Sequence, residues 1–155
     1  LSYINTDVYG NFALAGSIFL DSRNSSTFAD VFSLLYGHHM ENSQMFGDLD
    51  KYRSVDFLQQ TNTGTLLVPG GRYALRVFAC IVVSASDDLI YQPLQWQADN
   101  VPAMLDRLQA DALCVDQAAM DDLRTAQNLK VLCMSTCSSD YTDARTVVLA
   151  AMQLE

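Results

Sequence analysis

The chain has 155 residues, 50% of them hydrophobic and few of them Gly or Pro, which fits one domain with a substantial core and excludes a disordered or collagen-like polymer. Nine basic residues against 18 acidic ones leave a net charge of −9, which repels phosphate backbones and anionic lipid headgroups and argues against nucleic acid as a partner. The longest apolar run, residues 77–84 (VFACIVVS), falls far short of the roughly 20 residues of a spanning helix.

Gly10 and Gly16 punctuate the opening, and residues 15–21 (AGSIFLD) alternate as a strand closed by the turn-like SRNSS. Residues 31–36 (VFSLLY) read as a short apolar strand ending at Gly37. The chain's only two histidines, His38 and His39, follow. Met45, Phe46, Leu49 and Tyr52 then fall at helical spacing and predict a short helix with a core-facing stripe. Residues 64–68 and 71–84 flank Pro69-Gly70-Gly71 and predict a hairpin. An insertion comes next. Asp99 or Asn100 caps a helix with Pro102 in its first turn, and Val101, Met104, Leu105, Leu108 and Ala112 form its apolar face. Two strands, residues 129–136 and 146–152, close the chain around the polar loop SSDYTDA. Many short strands with one or two helices predict a barrel or sandwich with a helical insertion.

The cysteines are Cys80, Cys114, Cys133 and Cys137, with no CxxC among them. Cys133 and Cys137 share a predicted strand about 13 Å apart, too far for a disulfide. Adjacent histidines are not at zinc-ligand spacing, so neither a metal nor a cofactor is expected. Cys80 and Cys114 read as buried, inert thiols.

The last hairpin carries more. Cys137 ends one strand and Arg145 begins the next, so pairing of those strands sets the two at one rim within a residue or two of register. A guanidinium there favours thiolate and offers a fork of donors to a developing oxyanion. A histidine at the end of another strand completes a Cys–His–Arg outline at one end of a β-fold. In papain-like enzymes the cysteine precedes the histidine, whereas here the histidine comes first.

The blocks YGHHM (residues 36–40), MFGDLDKY (45–52), MSTC (134–137) and DARTVV (143–148) resemble the sortases, and within them class B. The resemblance extends upstream through AGSIFLDSRN and across the helix-bearing segment 84–117, so it covers almost the whole chain. It implies a mostly β fold: a sortase-type closed β-barrel, nominally eight-stranded, with a short helix after the His motif and a helix-bearing insertion before the Cys strand. It also implies a membrane-anchored transpeptidase on the extracellular face of a Gram-positive cell. Such an enzyme cuts a C-terminal sorting motif, holds the protein as a thioester, and passes it to an amine of a peptidoglycan cross-bridge or a pilin lysine. Carried over by motif, Cys137 is the nucleophile, His38 the acid/base, and Arg145 the group that steadies the scissile backbone and oxyanion. Ser135, Thr136, Ile4 and Ile90 match substrate-contacting positions.

The sequence departs from the family pattern in three ways. Cys133 stands where threonine is usual, on the strand face shared with Cys137. The chain opens on Leu1, so residues 1–155 are expected to be a single catalytic domain lacking its N-terminal helix, first strands and membrane anchor, with a swapped or paired chain supplying strands. Only two lysines are present, Lys51 and Lys130, leaving few amines for self-attachment. Alternatives from other classes are a cysteine hydrolase of the same fold and an inactive peptide-binding module. Of the doubled histidine, an extended backbone turns only one side chain toward Cys137, and the motif assigns that to His38. His39 is expected to face solvent or cap the helix that follows.

Overall fold

The architecture is organised by one long strand. Gly71–Ser84 (β4) pairs with Thr63–Val68 (β3) across the Pro69-Gly70 turn and, from Tyr73 to Ser84, with the final strand Ala144–Leu154 (β7). The structure, a computed structural model, describes residues 2–137 and 140–155; Leu1, and Ser138 and Ser139 of the predicted loop, lie outside them. The short strands Phe19–Leu20 (β1), Phe32–Tyr36 (β2) and Cys114–Val115 (β5), with Val131–Cys137 (β6), complete a seven-stranded sheet. Its order is β1-β2-β6-β7-β4-β3, with β5 on β4. β2 and β6 run parallel; the other pairings are antiparallel.

Apolar residues cover both faces of this sheet, because each face has its own partner layer. One face meets the insertion: Asp88–Tyr91 (α2), Val101–Asp111 (α3) and Gln117–Thr125 (α4) bury Ile90, Met104, Leu105, Leu108 and Met120 against Phe32, Leu34, Val131, Val147 and Leu149. The other face meets a 3-10 helix, Gly47–Arg53, and Val55–Gln60 (α1), which bury Leu49 and Leu58 with Leu132, Val148 and Ala150. A bulge at Phe78 makes this two-sided packing possible. Val77 pairs with Ala150 and Ala79 with Leu149, so the extra residue flips the parity of β4. Val77 and Cys80 therefore share one layer, while Phe78, Ile81 and Val83 enter the other.

Several expectations change in detail. Residues 15–21 form a strand only at Phe19–Leu20, since the Asn24 side chain takes over the ladder on β2. Its amide donates to the Phe32 carbonyl at 2.8 Å and accepts from Leu34 N at 3.0 Å. The helix after the histidines is a 3-10 turn that runs on into α1, capped by Ser54. Asn100 precedes α3 without capping it: its side chain accepts from Gln97 N and donates to the Gln95 carbonyl, folding the turn ahead instead. The mostly β sortase-type topology is present, but the barrel expected to be closed is not closed by hydrogen bonds among the described residues. The sheet ends on β1, two residues long, and on β3, whose residues are largely exposed. Among the described residues no helix is long and apolar enough to cross a membrane.

Candidate active site

β6 and β7 place Cys137 directly opposite Arg145. The expectation of one or two residues of register thus resolves to direct partners. Alternation then fixes the faces: Cys133, Ser135, Cys137, Arg145 and Val147 point to the side of the helical insertion, and Thr136 and Thr146 to the side of the 3-10 helix. Cys137 is the exposed cysteine; Cys80, Cys114 and Cys133 are buried.

The histidine arrives from β2, which runs parallel to β6 and ends at Tyr36 opposite Ser135. Gly37 N donates to the Ser135 carbonyl at 3.2 Å and carries the chain past the strand to His38, two residues beyond Tyr36. The loop that follows is tight. His39 bridges Met45, and Phe46 N donates to the His38 carbonyl at 3.0 Å. Two glycines permit it: a Cβ on Gly37 would lie 2.6 Å from the Phe46 ring, and one on Gly47 would lie 1.9 Å from the Met40 carbonyl oxygen. The spacing between YGHHM and MFG is therefore a steric requirement for presenting His38.

His38 Nε2 lies 2.5 Å from the Ile4 carbonyl. A carbonyl only accepts, so Nε2 carries the proton, and Nδ1 holds the free lone pair of the neutral ring. His38, Cys137 and Arg145 border one depression of about 140 Å³ with Ile4, Phe19, Tyr36, Ser135 and Thr136. Arg145 donates to its neighbour's carbonyl, on Ala144, at 2.9 Å. A larger cavity of about 830 Å³ lies at the opposite end of the sheet, against α4 and the last residues of β7. None of these three side chains lines it, so reactive groups rather than size single out the smaller depression as the candidate site.

The chain is similar to solved and curated proteins along nearly its whole length. It shares 34% identity with sortase B from the Type II pilus of Streptococcus pneumoniae, covering 96% of this chain and 81% of that one with a TM-score of 0.77. The chain belongs to the class B sortases. A class B sortase of Streptococcus pyogenes involved in pilus biogenesis shares 29% identity, over 99% of this chain and 80% of that one, with a TM-score of 0.82. Sortase B of Listeria monocytogenes is 29% identical over 150 residues, which are 94% of this chain and 58% of that protein. The chain thus spans less than two thirds of the curated relatives it matches. No family model matches it.

The positions that the sequence matched to substrate contacts are placed unequally. Ile4 is 38% exposed and borders the depression. Ser135 is buried and shares a hydrogen bond of 2.7 Å with the Tyr91 hydroxyl. Thr136 borders the depression too, but its side chain points to the opposite layer, with its hydroxyl buried and unpartnered. Ile90 departs from expectation: it is 0% exposed, packed in the core on the inner side of α2, and is not among the residues that border the depression. An apolar residue that one matched position assigns to a groove is here turned inward into the cluster of Phe32, Leu34, Met104 and Leu105.

Sequence reasoning missed the wall of aromatic residues beside Cys137. Tyr36 stacks on Tyr91 at 6.3 Å and packs on Phe19 at 5.3 Å. The Tyr36 hydroxyl donates to Asp21 at 2.8 Å, and Arg23 grips the same carboxylate with Nε and Nη2 while Nη2 also reaches the Tyr91 carbonyl. The Arg23 guanidinium holds Asp21 down at about 2, and burial, reinforced by Asp21, pushes the Tyr36 phenol up. The Tyr91 carbonyl lies 68 residues from Arg23 along the chain, beyond any local pattern. Burial likewise pushes the Cys133 thiol up. Cys133 thus sits under the site, not in it.

Proposed function

We propose that this chain is the catalytic part of a cysteine transpeptidase that moves a sorted protein from its C-terminal sorting motif onto an amine. The observation that carries it is the direct pairing of Cys137 with Arg145, with His38 bordering the same depression. Cys137 passes its thiol proton to the free ring nitrogen of His38 and attacks the scissile carbonyl as thiolate, and the Arg145 fork stabilises the oxyanion of the tetrahedral intermediate. As the C–N bond breaks, His38 gives its proton to the leaving amine and a thioester remains. An incoming amine adds to the thioester, His38 takes its proton, collapse forms the new amide and expels the Cys137 thiolate, and His38 returns the proton to it. Tyr36 and Phe19, with Tyr91 stacked on Tyr36, shape and dry one side, which favours amine over water as acceptor. Ile4 and Ser135, and the backbone at Thr136, border the peptide path.

The donor is the sorting-motif peptide of a surface or pilin protein, at the outer face of a Gram-positive cell. The acceptor is a peptidoglycan cross-bridge amine or a pilin lysine. Identity of 34% and 29% with two pilus sortases supports the pilin branch. A strand from a second chain laid along the β1 or β3 edge belongs to the same reading, and a monomer in size-exclusion chromatography would count against it. The experiment is incubation with a panel of sorting-motif peptides, with and without glycine oligomers or a pilin lysine. Amide product in the presence of amine supports transfer. Acid product regardless of amine indicates a hydrolase, and binding without turnover an inactive peptide-binding module.

A further inference from the structure

His39, placed by the sequence as solvent-facing or helix-capping, has a specific partner. Its Nε2 lies 2.6 Å from Asp50 Oδ2, on the 3-10 helix Gly47–Arg53. The other oxygen of the same carboxylate, Oδ1, accepts a hydrogen bond of 2.9 Å from Thr146 Oγ1 on β7. These two partners follow His38 and Arg145 in sequence. Because side chains alternate, His38 and Arg145 border the depression while His39 and Thr146 point to the opposite layer. One carboxylate thus joins, from behind, the two chain segments that present the proposed acid/base and the proposed oxyanion donor.

The same short helix makes a third tie. Arg53 Nη2 reaches Asp140 Oδ1 at 2.6 Å, in the stretch between Cys137 and Arg145. Packing seats the helix itself: Leu49 and Phe46 are buried against the Leu132, Val148 and Ala150 layer. Its position is therefore set by the core, and its polar side chains pass that position on to the site.

We propose that Asp50 is a positioning residue, clamping His39 and Thr146 so that His38 and Arg145 hold their places around Cys137. The inference rests on the Cys–His–Arg reading above and adds to it. None of the three clamp side chains is among those that border the depression. Loss of the clamp leaves the fold intact and loosens the catalytic geometry, where displacements on the order of 1 Å are costly.

The test needs no knowledge of the sorting motif, because Cys137 is the exposed thiol and iodoacetamide can serve as the probe. Alkylation rates are followed from mildly acid to mildly alkaline pH in the wild-type chain and in the His38→Ala, Asp50→Ala, Thr146→Val and Thr146→Ser variants, with thermal melting of each. His38→Ala gives the profile of an unassisted thiol. The clamp predicts that Asp50→Ala and the nearly isosteric Thr146→Val move toward that profile, about tenfold slower at neutral pH. Thr146→Ser, which keeps the hydroxyl, restores the wild-type profile. Folded Asp50→Ala and Thr146→Val proteins with unaltered profiles overturn the clamp while leaving the Cys–His pair standing. An unaltered profile in His38→Ala overturns the underlying pair instead. Should Asp50→Ala fail to fold, the comparison of Thr146→Val with Thr146→Ser decides.

Discussion

Gly47→Ala tests whether the loop between the histidine and the 3-10 helix is a steric device. An alanine Cβ at this position would start 1.9 Å from the Met40 carbonyl oxygen, whereas real Cβ contacts essentially never fall below 3.0 Å. The Cβ is fixed rigidly to Cα and the carbonyl oxygen belongs to the backbone, so no side chain can turn away, and the two segments must separate by roughly 1 Å. Met40 lies two residues from His38, and Phe46 N, beside Gly47, holds the His38 carbonyl. The displacement is therefore delivered to the imidazole. A misplacement of that size costs about 100-fold in rate, against about 1–3 kcal/mol of stability for the overpacked backbone. The assay is thioester formation with a reactive sorting peptide, beside thermal melting. Gly64→Ala is the control, since its Cβ would meet Leu75 at an ordinary 3.7 Å. A Gly47→Ala protein with wild-type acylation would refute the argument that close approach at Met40 sets the position of His38.

A thiol-labelling experiment on the folded chain is expected to mark Cys137 alone, with all four cysteines reacting after denaturation; burial pushes Cys80 up to about 12 and raises Cys133 as well. Early labelling of Cys133 would contradict its placement under the site. Asp21 gives a signed pH prediction: a carboxyl held at about 2 in the folded state and near 3.9 when unfolded stabilises above the unfolded value and loses that contribution as pH falls toward 2. The loss is about 2 kcal/mol, and Asp21→Asn should flatten the acid limb of a melting-versus-pH curve. Phe78→Ala, at a fully buried bulge residue, should cost about 3–5 kcal/mol and lower the melting temperature on the order of 10 °C. A small shift there would mean that the bulge does not anchor the insertion layer.

What could be read from the sequence divides by range. The Pro69-Gly70-Gly71 punctuation placed the β3–β4 hairpin almost to the residue, and Pro102 with its apolar periodicity placed α3. The 11-residue α3 has room for a pattern; α1, α2, α4 and the two-residue β5 are too short or too mixed to show one. The strand expected over 15–21 shrank because Asn24, a turn residue by local reading, reaches across to bond β2. The Phe78 bulge left no local mark either, since Val77, Phe78 and Ala79 read equally well in any register. At the site, Cys137 and Arg145 were legible because they sit on adjacent antiparallel strands joined by a short loop, and His38 because its motif carried it. Tyr91 and Asp50 were not: Ser135 lies 44 residues from Tyr91, and Thr146 lies 96 from Asp50. Such partners meet only once the sheet is assembled.

The most direct measurement is intact-mass analysis of the chain during incubation with a reactive sorting peptide, in wild type and in Cys137→Ala. The account predicts an acyl adduct on the wild-type chain, mapped to Cys137 and discharged by an added amine to give an amide. It predicts no adduct and no turnover in Cys137→Ala. Turnover retained without Cys137, or an adduct mapped to Cys133, would contradict it.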